Sequence, residues 1–472
     1  MKVLCLIPPA EDKNSSIQTD AVLSRCAGIV LKSHYILTPI GLAYLASALR
    51  EWTRADVDIL DCLAEDLDLE PALCRIKEIS PDVIFFVLGT PTLEFSRRWI
   101  RMLKESLPVL RVVAVGPHVT ALPEKSLRAV PLDYVIRGEP EQAASHLIKA
   151  LEEGRGINGI KGISYRAGDE CRSNPDQPLL EDVDVFPFPA RDLLPNEKYA
   201  APFARQVPFG LIVTARGCPF QCVYCATRGY YGKTWRARSV ESVISELKEM
   251  VNRYRIRDIG FWDDTFTIDR ARVIAICRRI IKEGLNIEWI CLSRVDTVDP
   301  EVLGWMKKAG CYQIQFGVES GSEEVLRALG KNTTVRQIKD AFRWSKETGI
   351  DPAAFFMLGN PGETDKNVEE TIELALELPA GFASFNINTP YPGCELFEQM
   401  KKKLGGDWTH FDAKHASYQT GFDEKSLEKY IREAYRRFYY RPKYIFKLLR
   451  QIRSPGDLLK YMKTALDVFR RF

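Results

Sequence analysis

Short apolar segments alternate with amphipathic stretches over residues 1–152. The apolar segments predict five strands, at Lys2–Ile7, Val57–Leu60, Val83–Leu88, Arg111–Val115 and Tyr134–Ile136. The stretches between them carry apolar residues at helical spacing, so strands and helices alternate. This alternation predicts an α/β domain with a parallel, doubly wound sheet, in which ligands bind at the carboxyl ends of the strands.

Glycine and small polar residues follow several of these predicted strands. The segments are Gly89-Thr90-Pro91, Gly116-Pro117-His118 and Gly138-Glu139. Glycine lets a ligand approach the backbone closely, so these strand ends are candidate binding positions. No G-x-G-x-x-G motif follows the first strand, which disfavours a nicotinamide cofactor.

A region dense in glycine and proline separates the first domain from a second alternating region. Residues 153–205 are predicted to form a linker with one hairpin near Ile163–Arg166. Over residues 206–400 the predicted strands are Gly210–Thr214, Ile259–Trp262, Trp289–Leu292, Tyr312–Phe316, Ala354–Met357 and Phe385–Asn388. Six βα units predict a partial (β/α)6 TIM-like barrel, whose ligands also lie at the carboxyl ends of the strands.

The last part of the chain, residues 401–472, is predicted to be a basic helical C-terminal region. From Lys429 to Phe472 there are 13 Lys or Arg and 3 Asp or Glu, interleaved with aromatic residues. The segments Lys429–Tyr440 and Lys443–Ile452 have amphipathic patterns. Such helices either pack as a cap over the barrel or lie on an anionic membrane surface.

Composition excludes several classes of protein. The chain has 472 residues, 46% of them hydrophobic, and a formal net charge of +3. A charge so near balance argues against nucleic acid as a partner. The longest apolar runs, such as Val83–Leu88, are far shorter than the ~20 residues that span a bilayer. Twelve cysteines are too sparse for a disulfide framework, and we expect a cytoplasmic protein.

The cysteines are unevenly distributed. Nine stand apart, and we interpret them as small buried hydrophobic residues. The other three form Cys218-Pro-Phe-Gln-Cys222-Val-Tyr-Cys225, on the loop that leaves the first strand of the second region. A structural zinc site needs four ligands, and neighbouring positions offer no fourth Cys or His. A cubane 4Fe–4S cluster held by three cysteines keeps one iron open; zinc with a distant ligand is the alternative.

The C-x3-C-x2-C spacing, with an aromatic residue before the third cysteine, resembles the radical S-adenosylmethionine (SAM) superfamily. The resemblance implies that the methionine end of SAM chelates the open iron and that Tyr224 approaches the adenine. It also implies that Asp263 and Asp264 meet the methionine amino group. Arg294 and Glu319 fall where this family places contacts to the carboxylate and the ribose. The alternative interpretation of each of these charged residues is a helix cap or a surface ion pair.

The first region resembles the domain that precedes the barrel in cobalamin (B12)-binding radical SAM enzymes, which is flavodoxin-like. The matching stretches are Thr38-Pro-Ile-Gly-Leu-Ala-Tyr-Leu-Ala, Gly116-Pro-His118 and Asp133-Tyr-Val-Ile-Arg-Gly138-Glu139. The resemblance implies cobalamin at the strand ends. The expected contacts are Thr90, Gly116, His118, Gly138 and Glu139. The D-x-H-x-x-G motif is absent, so we expect cobalt without a histidine ligand, or a domain that has lost cobalamin.

These features together predict an enzyme that cleaves SAM reductively and abstracts hydrogen from an unactivated carbon. Cobalamin-dependent C-methylation is the expected outcome. The alternatives are a radical cyclase, rearrangement or C–C coupling enzyme, and a non-catalytic cobalamin-binding or Fe–S protein. We expect a small-molecule or lipid substrate, and a low-potential electron donor such as flavodoxin or ferredoxin. Peripheral membrane contact through the C-terminal tail is a further hypothesis.

Overall fold

The computed structural model describes residues 1–10, 36–403, 422–442 and 444, together with two short strands, β2 (Ser15–Ser16) and β3 (Val30–Leu31). Backbone proximity divides the chain into two compact units. The first unit comprises residues 1–266, 275–289 and 390–408. The second comprises residues 267–274, 290–389 and 409–472.

The first unit begins with a doubly wound α/β domain. Its elements are β1 (Lys2–Ile7), α1 (Ile40–Trp52), β4 (Asp56–Asp61), α2 (Leu69–Ile79), β5 (Val83–Val87), α3 (Leu93–Ser106), β6 (Arg111–Val115), α4 (Pro117–Ala121), α5 (Pro123–Ala129), β7 (Tyr134–Ile136) and α6 (Pro140–Glu152). The parallel strands lie in the order β4-β1-β5-β6-β7. Counted along the chain this is 2-1-3-4-5, the flavodoxin-like order. The predicted fold of this region is confirmed.

Both faces of this sheet are buried, because side chains alternate between two hydrophobic cores. Val3, Cys5 and Ile7 of β1 belong to one core, together with residues of α1 and α6. Leu4 and Leu6 belong to the other, with residues of α2 and α3. A strand covered on both faces has to be apolar throughout, which explains the unbroken apolar run at the start of the chain.

The predicted hairpin forms from β8 (Ile163–Ala167) and β9 (Glu170–Ser173). Strand β8 pairs antiparallel with β7, so the hairpin extends the first sheet to seven strands. The sheet of the first domain therefore continues into the region predicted as a linker.

The remaining part of the first unit carries the first strands of the barrel. Its elements are β10 (Phe209–Ile212), β11 (Ala215–Arg216), α7 (Thr227–Tyr231), β12 (Arg236–Ala237), α8 (Val240–Asn252), β13 (Asp258–Phe261) and α14 (Glu395–Lys403). The division between the units falls within α9 (Arg270–Lys282) and β14 (Glu288–Ser293). All six strands predicted for residues 206–400 are present in the two units together, with bounds shifted by a few residues.

The second unit carries the later strands of the barrel and their helices. Its elements are α10 (Pro300–Lys308), β15 (Cys311–Glu319), α11 (Glu323–Ala328), α12 (Val335–Thr348), β16 (Asp351–Leu358), α13 (Asp365–Glu377), β17 (Phe382–Ile387) and α15 (Glu424–Tyr439). The second large sheet has the order β10-β13-β14-β15-β16-β17, which follows the chain. Strand β10 pairs in parallel with β13, and β16 pairs in parallel with β15 and β17. This pairing agrees with the predicted partial barrel.

Helix α15 packs on β17 and α13, as the cap interpretation of the basic tail expects. The Tyr439 hydroxyl donates to the Ala383 carbonyl over 2.7 Å and accepts from the Ala383 amide over 3.2 Å. The Phe385 amide donates to the Tyr435 hydroxyl over 3.3 Å. Most of Lys443–Ile452 lies outside the described residues. Within the part of the chain that the structure describes, no helix is long and apolar enough to cross a membrane.

The isolated cysteines differ in burial. Cys5, Cys62, Cys277, Cys291, Cys311 and Cys394 are buried, as expected for small hydrophobic residues. Cys74 is exposed and Cys171 is half-buried, so that interpretation is wrong for Cys74. Cys74 lies on the outer face of α2, where the amphipathic pattern allows a small side chain to face solvent. Cys26 lies outside the described residues.

Candidate active site

The cysteine loop lies between β11 and α7 in the first unit. Strand β11 ends at Arg216, Gly217 follows, and α7 begins two residues after Cys225. The Cys225 amide donates to the Cys222 carbonyl over 3.1 Å, which forms a tight turn between these two cysteines. Cys218, Cys222 and Cys225 are all half-buried and form no disulfide, so all three can reach a ligand at the surface of the loop.

Asp263 and Asp264 follow β13, but their surroundings differ. Asp263 is 2% exposed, and its carboxylate accepts from the Thr214 hydroxyl and from the Thr214 and Ala215 amides over 2.5–3.1 Å. These bonds fix the chain between β10 and β11. Asp264 is half-buried and accepts from the Thr227 hydroxyl over 3.1 Å. Asp263 therefore anchors the backbone that leads into the cysteine loop. Asp264 instead contacts Thr227, just after that loop.

Arg294 and Glu319 lie in the second unit, each engaged by neighbours there. The buried guanidinium of Arg294 donates to Asp296 over 2.8–2.9 Å and to the Lys331 carbonyl over 2.7 Å. The Glu319 carboxylate accepts from the Lys331 ammonium over 2.9 Å. Lys331 was not predicted, since nothing in Gly-Lys-Asn-Thr-Thr identifies it without the fold.

Glu319 adopts a left-handed backbone conformation, with φ of 69°. The register between β15 and β16 shifts between Gly317 and Glu319, where the strand is irregular. A non-glycine residue in this region carries strain that neighbouring contacts must hold in place, and such residues cluster at functional sites. The backbone therefore supports a functional role for the end of β15.

The predicted cobalamin positions lie at the carboxyl ends of β5, β6 and β7. The Thr90 hydroxyl and His118 Nδ1 are 2.8 Å apart. Burial lowers the pKa of His118 to about 4, so its imidazole is neutral near pH 7. The Thr120 hydroxyl donates to the Gly116 carbonyl over 2.8 Å and accepts from the Gly138 amide over 2.9 Å. Through these two bonds, Thr120 connects the segments that follow β6 and β7.

Glu139 belongs to a buried ion-pair network that reaches the cysteine loop. It pairs with Arg236 over 2.5 Å and with Arg216 over 3.5 Å, and Arg216 pairs with Glu141 over 2.6 Å. All four side chains are at most 8% exposed. Burial opposes the charge of Arg216, yet Glu141 and Glu139 raise its pKa on balance, so the guanidinium keeps its charge. The Glu139 carboxylate is thus engaged within the protein.

A second buried network lies between the first domain and α8. Glu246 pairs with Arg191 over 2.7 Å and also with Arg238, and the Tyr44 hydroxyl lies 3.4 Å from its carboxylate. Burial opposes ionisation of Glu246, but the two arginines lower its pKa on balance. Tyr44 belongs to the Thr38-Pro-Ile-Gly-Leu-Ala-Tyr stretch quoted for the B12 resemblance. Here that stretch supplies an interdomain contact.

The turn at Gly393 packs directly against the cysteine loop. The Leu396 amide donates to the Val223 carbonyl over 2.9 Å. A Cβ at Gly229 in α7 would lie 2.4 Å from the Gly393 carbonyl oxygen, closer than any side chain permits. A Cβ at Gly393 would in turn lie 3.5 Å from the Cβ of Ala121, the last residue of α4. The chain from β17 to α14 therefore contacts both the cysteine loop and the helix after β6.

Two domains of known families cover much of the chain. Residues 27–148 match the B12 binding domain, and residues 212–375 match the radical SAM superfamily. A relative from Pyrococcus horikoshii, "Uncharacterized methyltransferase PH0819", is 39% identical over 95% of this chain and 94% of its own length. This chain belongs to the cobalamin-binding radical SAM family. The predicted family is confirmed.

Other members of the family differ in their reported reactions. The "Anaerobic magnesium-protoporphyrin IX monomethyl ester cyclase" of Rubrivivax gelatinosus is 30% identical over 85% of this chain and 73% of its own length. The solved structure of the cobalamin-dependent SAM radical enzyme OxsB has a TM-score of 0.73 at 18% identity. The match covers 99% of this chain and 72% of OxsB. At that identity the likeness extends to the fold alone.

Radical SAM enzymes of this family use a 4Fe–4S cluster, SAM and cobalamin, and the residues present fit these groups. Among the described residues, no three His, Cys, Asp or Glu side chains converge on one point as a single metal ion requires. A cubane binds each cysteine through a different iron, so three half-buried cysteines on one loop suit it. On the cobalamin side, a Cβ at Gly116, where φ is 111°, would lie 3.0 Å from Val87 Cγ1. The positive φ and the close approach of Val87 both favour glycine at this strand end.

We predict that Gly229→Ala weakens cluster binding. The added methyl group forces α7 away from Gly393, at a cost of about 1–3 kcal/mol, and displaces the cysteine loop. Iron and sulfide per chain after anaerobic reconstitution should fall. The matched control is Gly304→Ala in α10, where an added Cβ meets nothing within 4 Å. Full iron content in the Gly229 variant would contradict the role of this contact.

We predict that Arg216→Met strongly destabilises the first unit. The substitution leaves Glu141 buried without its cation, which costs about 3–5 kcal/mol. The midpoint of urea unfolding should fall accordingly. The control is Arg50→Met, because Arg50 pairs with Asp192 at the surface, where ion pairs contribute about 0–1 kcal/mol. Equal midpoints for the two variants would show that the buried network contributes little.

Proposed function

We propose that this protein is a cobalamin-dependent radical SAM methyltransferase that methylates an unactivated carbon. The observation that carries the proposal is the contact between α4, which follows β6 of the B12 domain, and α7, which follows the cysteine loop. A methyl carrier and a radical source have to serve the same substrate carbon. Adjacency of the two binding regions within the first unit meets that requirement.

The cofactors would supply a carbon radical and a transferable methyl group, chemistry that amino-acid side chains lack. The chain's own residues have other tasks. We assign Cys218, Cys222 and Cys225 to hold the cluster, and Asp264 to accept hydrogen bonds from the SAM ammonium. Tyr224 is the candidate for contact with the adenine. These roles follow the family resemblance and agree with the half-buried positions of all five side chains.

The other predicted contacts are assigned with the help of their neighbours. Arg294 and Glu319 remain candidates for the carboxylate and ribose of SAM, and their bonds to Asp296 and Lys331 orient them. Asp263 is assigned to anchor the loop instead of meeting SAM. Thr90, Gly116, His118 and Gly138 remain candidates for cobalamin. Glu139 is assigned to the interdomain ion pairs.

A radical cyclase is the second candidate function, since the Rubrivivax relative, a cyclase, is 30% identical over 85% of this chain. The two reactions use the same cluster and differ in the fate of the substrate radical. A non-catalytic protein is disfavoured, because a sensor has no need for the polar groups at the barrel strand ends. The product ratio from SAM separates these possibilities.

We predict that the anaerobically reconstituted protein, with reductant, cobalamin, SAM and substrate, forms S-adenosylhomocysteine and 5′-deoxyadenosine together. A methylase consumes one SAM as methyl donor and one as radical source, so the two products should accumulate in about equal amounts. A cyclase would form 5′-deoxyadenosine without matching S-adenosylhomocysteine. Mass spectrometry would show one CH₂ added per methylation. The Cys218/Cys222/Cys225→Ala variant serves as the control, and should form no 5′-deoxyadenosine.

The proposal also covers the electron donor, the cellular compartment and a lipid contact. A low-potential flavodoxin or ferredoxin is the proposed electron donor, and the cytoplasm is the proposed compartment. Residues 443–472 carry eight Lys or Arg and two Asp or Glu, and we propose that they attract anionic lipid. Helix α15 packs on β17, so the face that contacts this strand is covered by protein.

We predict that the full chain binds phosphatidylserine vesicles at low salt and that deleting residues 443–472 reduces this binding. High salt should weaken the interaction, because the attraction is screened beyond about 10 Å at 0.1 M ionic strength. Co-sedimentation with anionic and with neutral vesicles measures it. Equal sedimentation of the full and shortened chains would leave a lipid substrate without support.

A further inference from the structure

Thr227 lies between a cysteine assigned to the cluster and an acidic residue assigned to SAM. Its side chain is completely buried as the first residue of α7. The Thr227 hydroxyl oxygen is 3.3 Å from the Cys225 sulfur and 3.1 Å from Asp264 Oδ1. The three side chains thus form a short hydrogen-bonded chain within the first unit.

The hydroxyl group has one hydrogen and therefore serves one acceptor at a time. While Cys225 is a thiol, it can donate to Thr227, and Thr227 can donate to Asp264. A cysteine that ligates iron is a thiolate and has no hydrogen to donate. Thr227 then lies between two anions, and both the Cys225 sulfur and Asp264 are within reach of its hydrogen.

The direction of that hydrogen has an electrostatic consequence for the cluster. Hydrogen bonds to cysteine sulfur help to set the reduction potential of iron–sulfur clusters. A donated hydrogen stabilises the more negative, reduced state, so it raises the potential. When Asp264 is unoccupied by a cation, its carboxylate competes for the hydrogen and keeps it from the sulfur.

We propose that Thr227 is a positioning residue that transfers its hydrogen bond from Asp264 to the Cys225 thiolate when the ammonium group of SAM neutralises Asp264. This proposal rests on the cluster and SAM assignments made above. Binding of the substrate cation thereby makes the cluster easier to reduce. No covalent bond changes; only the hydroxyl group rotates. The cluster is thus protected from reduction until SAM has arrived.

The test is the reduction potential of the reconstituted full-length protein, followed by electron paramagnetic resonance with and without SAM. We expect Thr227→Val to reduce the upward shift that SAM causes, and to leave the potential without SAM near that of the wild type. Thr227→Ser keeps the hydroxyl group and should restore the full shift. Thr53→Val, which removes a hydroxyl at the end of α1 in the first domain, is the matched control.

A double-mutant cycle with Asp264→Asn tests the competition directly. Removing the charge of Asp264 should raise the potential without SAM, and this rise should be smaller when residue 227 is valine. Independent effects of the two substitutions, or an unchanged SAM-induced shift in Thr227→Val, would overturn the proposal. Thr227→Ala is the second variant if valine prevents cluster assembly. A wild-type protein that assembles no cluster would instead refute the cofactor assignment.

Discussion

The buried pair between Arg216 and Glu141 is the interaction on which the arrangement of the first unit depends. Arg216 ends β11, one glycine before Cys218, and Glu141 lies in the first turn of α6. Two charges removed from water are tolerated only when each finds the other with good geometry. The pair therefore demands one position of the B12 domain against the cysteine loop.

The surrounding contacts reinforce that position with directional bonds. Asp263 binds the backbone before β11, and the Gly393 turn packs on α7 after the loop. The cysteine loop is thus fixed at the residues that precede it, at the helix that follows it and at Val223 within it. Its three thiols are left half-buried, because none of these supports uses a sulfur atom of the loop cysteines. A rigid loop with partly exposed thiols is what assembly of a cluster requires.

Much of this fold follows from local patterns in the sequence. The strands of both sheets are short and apolar, so their number and order along the chain could be predicted, with bounds shifted by a few residues. The pattern did not indicate the short helix over Pro117–Ala121, because Gly116-Pro117-His118 was interpreted only as a strand end. The cysteine spacing is local too, and so the cluster could be proposed before the fold was known.

The charged contacts could not be predicted in the same way. Arg216 and Glu141 are 75 residues apart in the chain, and neither side chain belongs to a pattern with a distinctive spacing. Asp263 and Asp264 are adjacent and chemically identical, so only tertiary structure distinguishes the buried anchor from its half-buried neighbour. Lys331 reaches Glu319 because a short helix turns the chain back. Such roles depend on partners brought together by folding.

The contact of Tyr439 with Ala383 covers part of the edge of the second large sheet. Strand β17 is the outermost strand of its sheet, where unpaired amides and carbonyls could template pairing with a second chain. One phenol hydroxyl satisfies both the amide and the carbonyl of Ala383, as a neighbouring strand would. A helix outside the barrel therefore protects this part of the sheet edge from pairing with another chain. Its side chains make the hydrogen bonds that a further strand would make, so the sheet need not close.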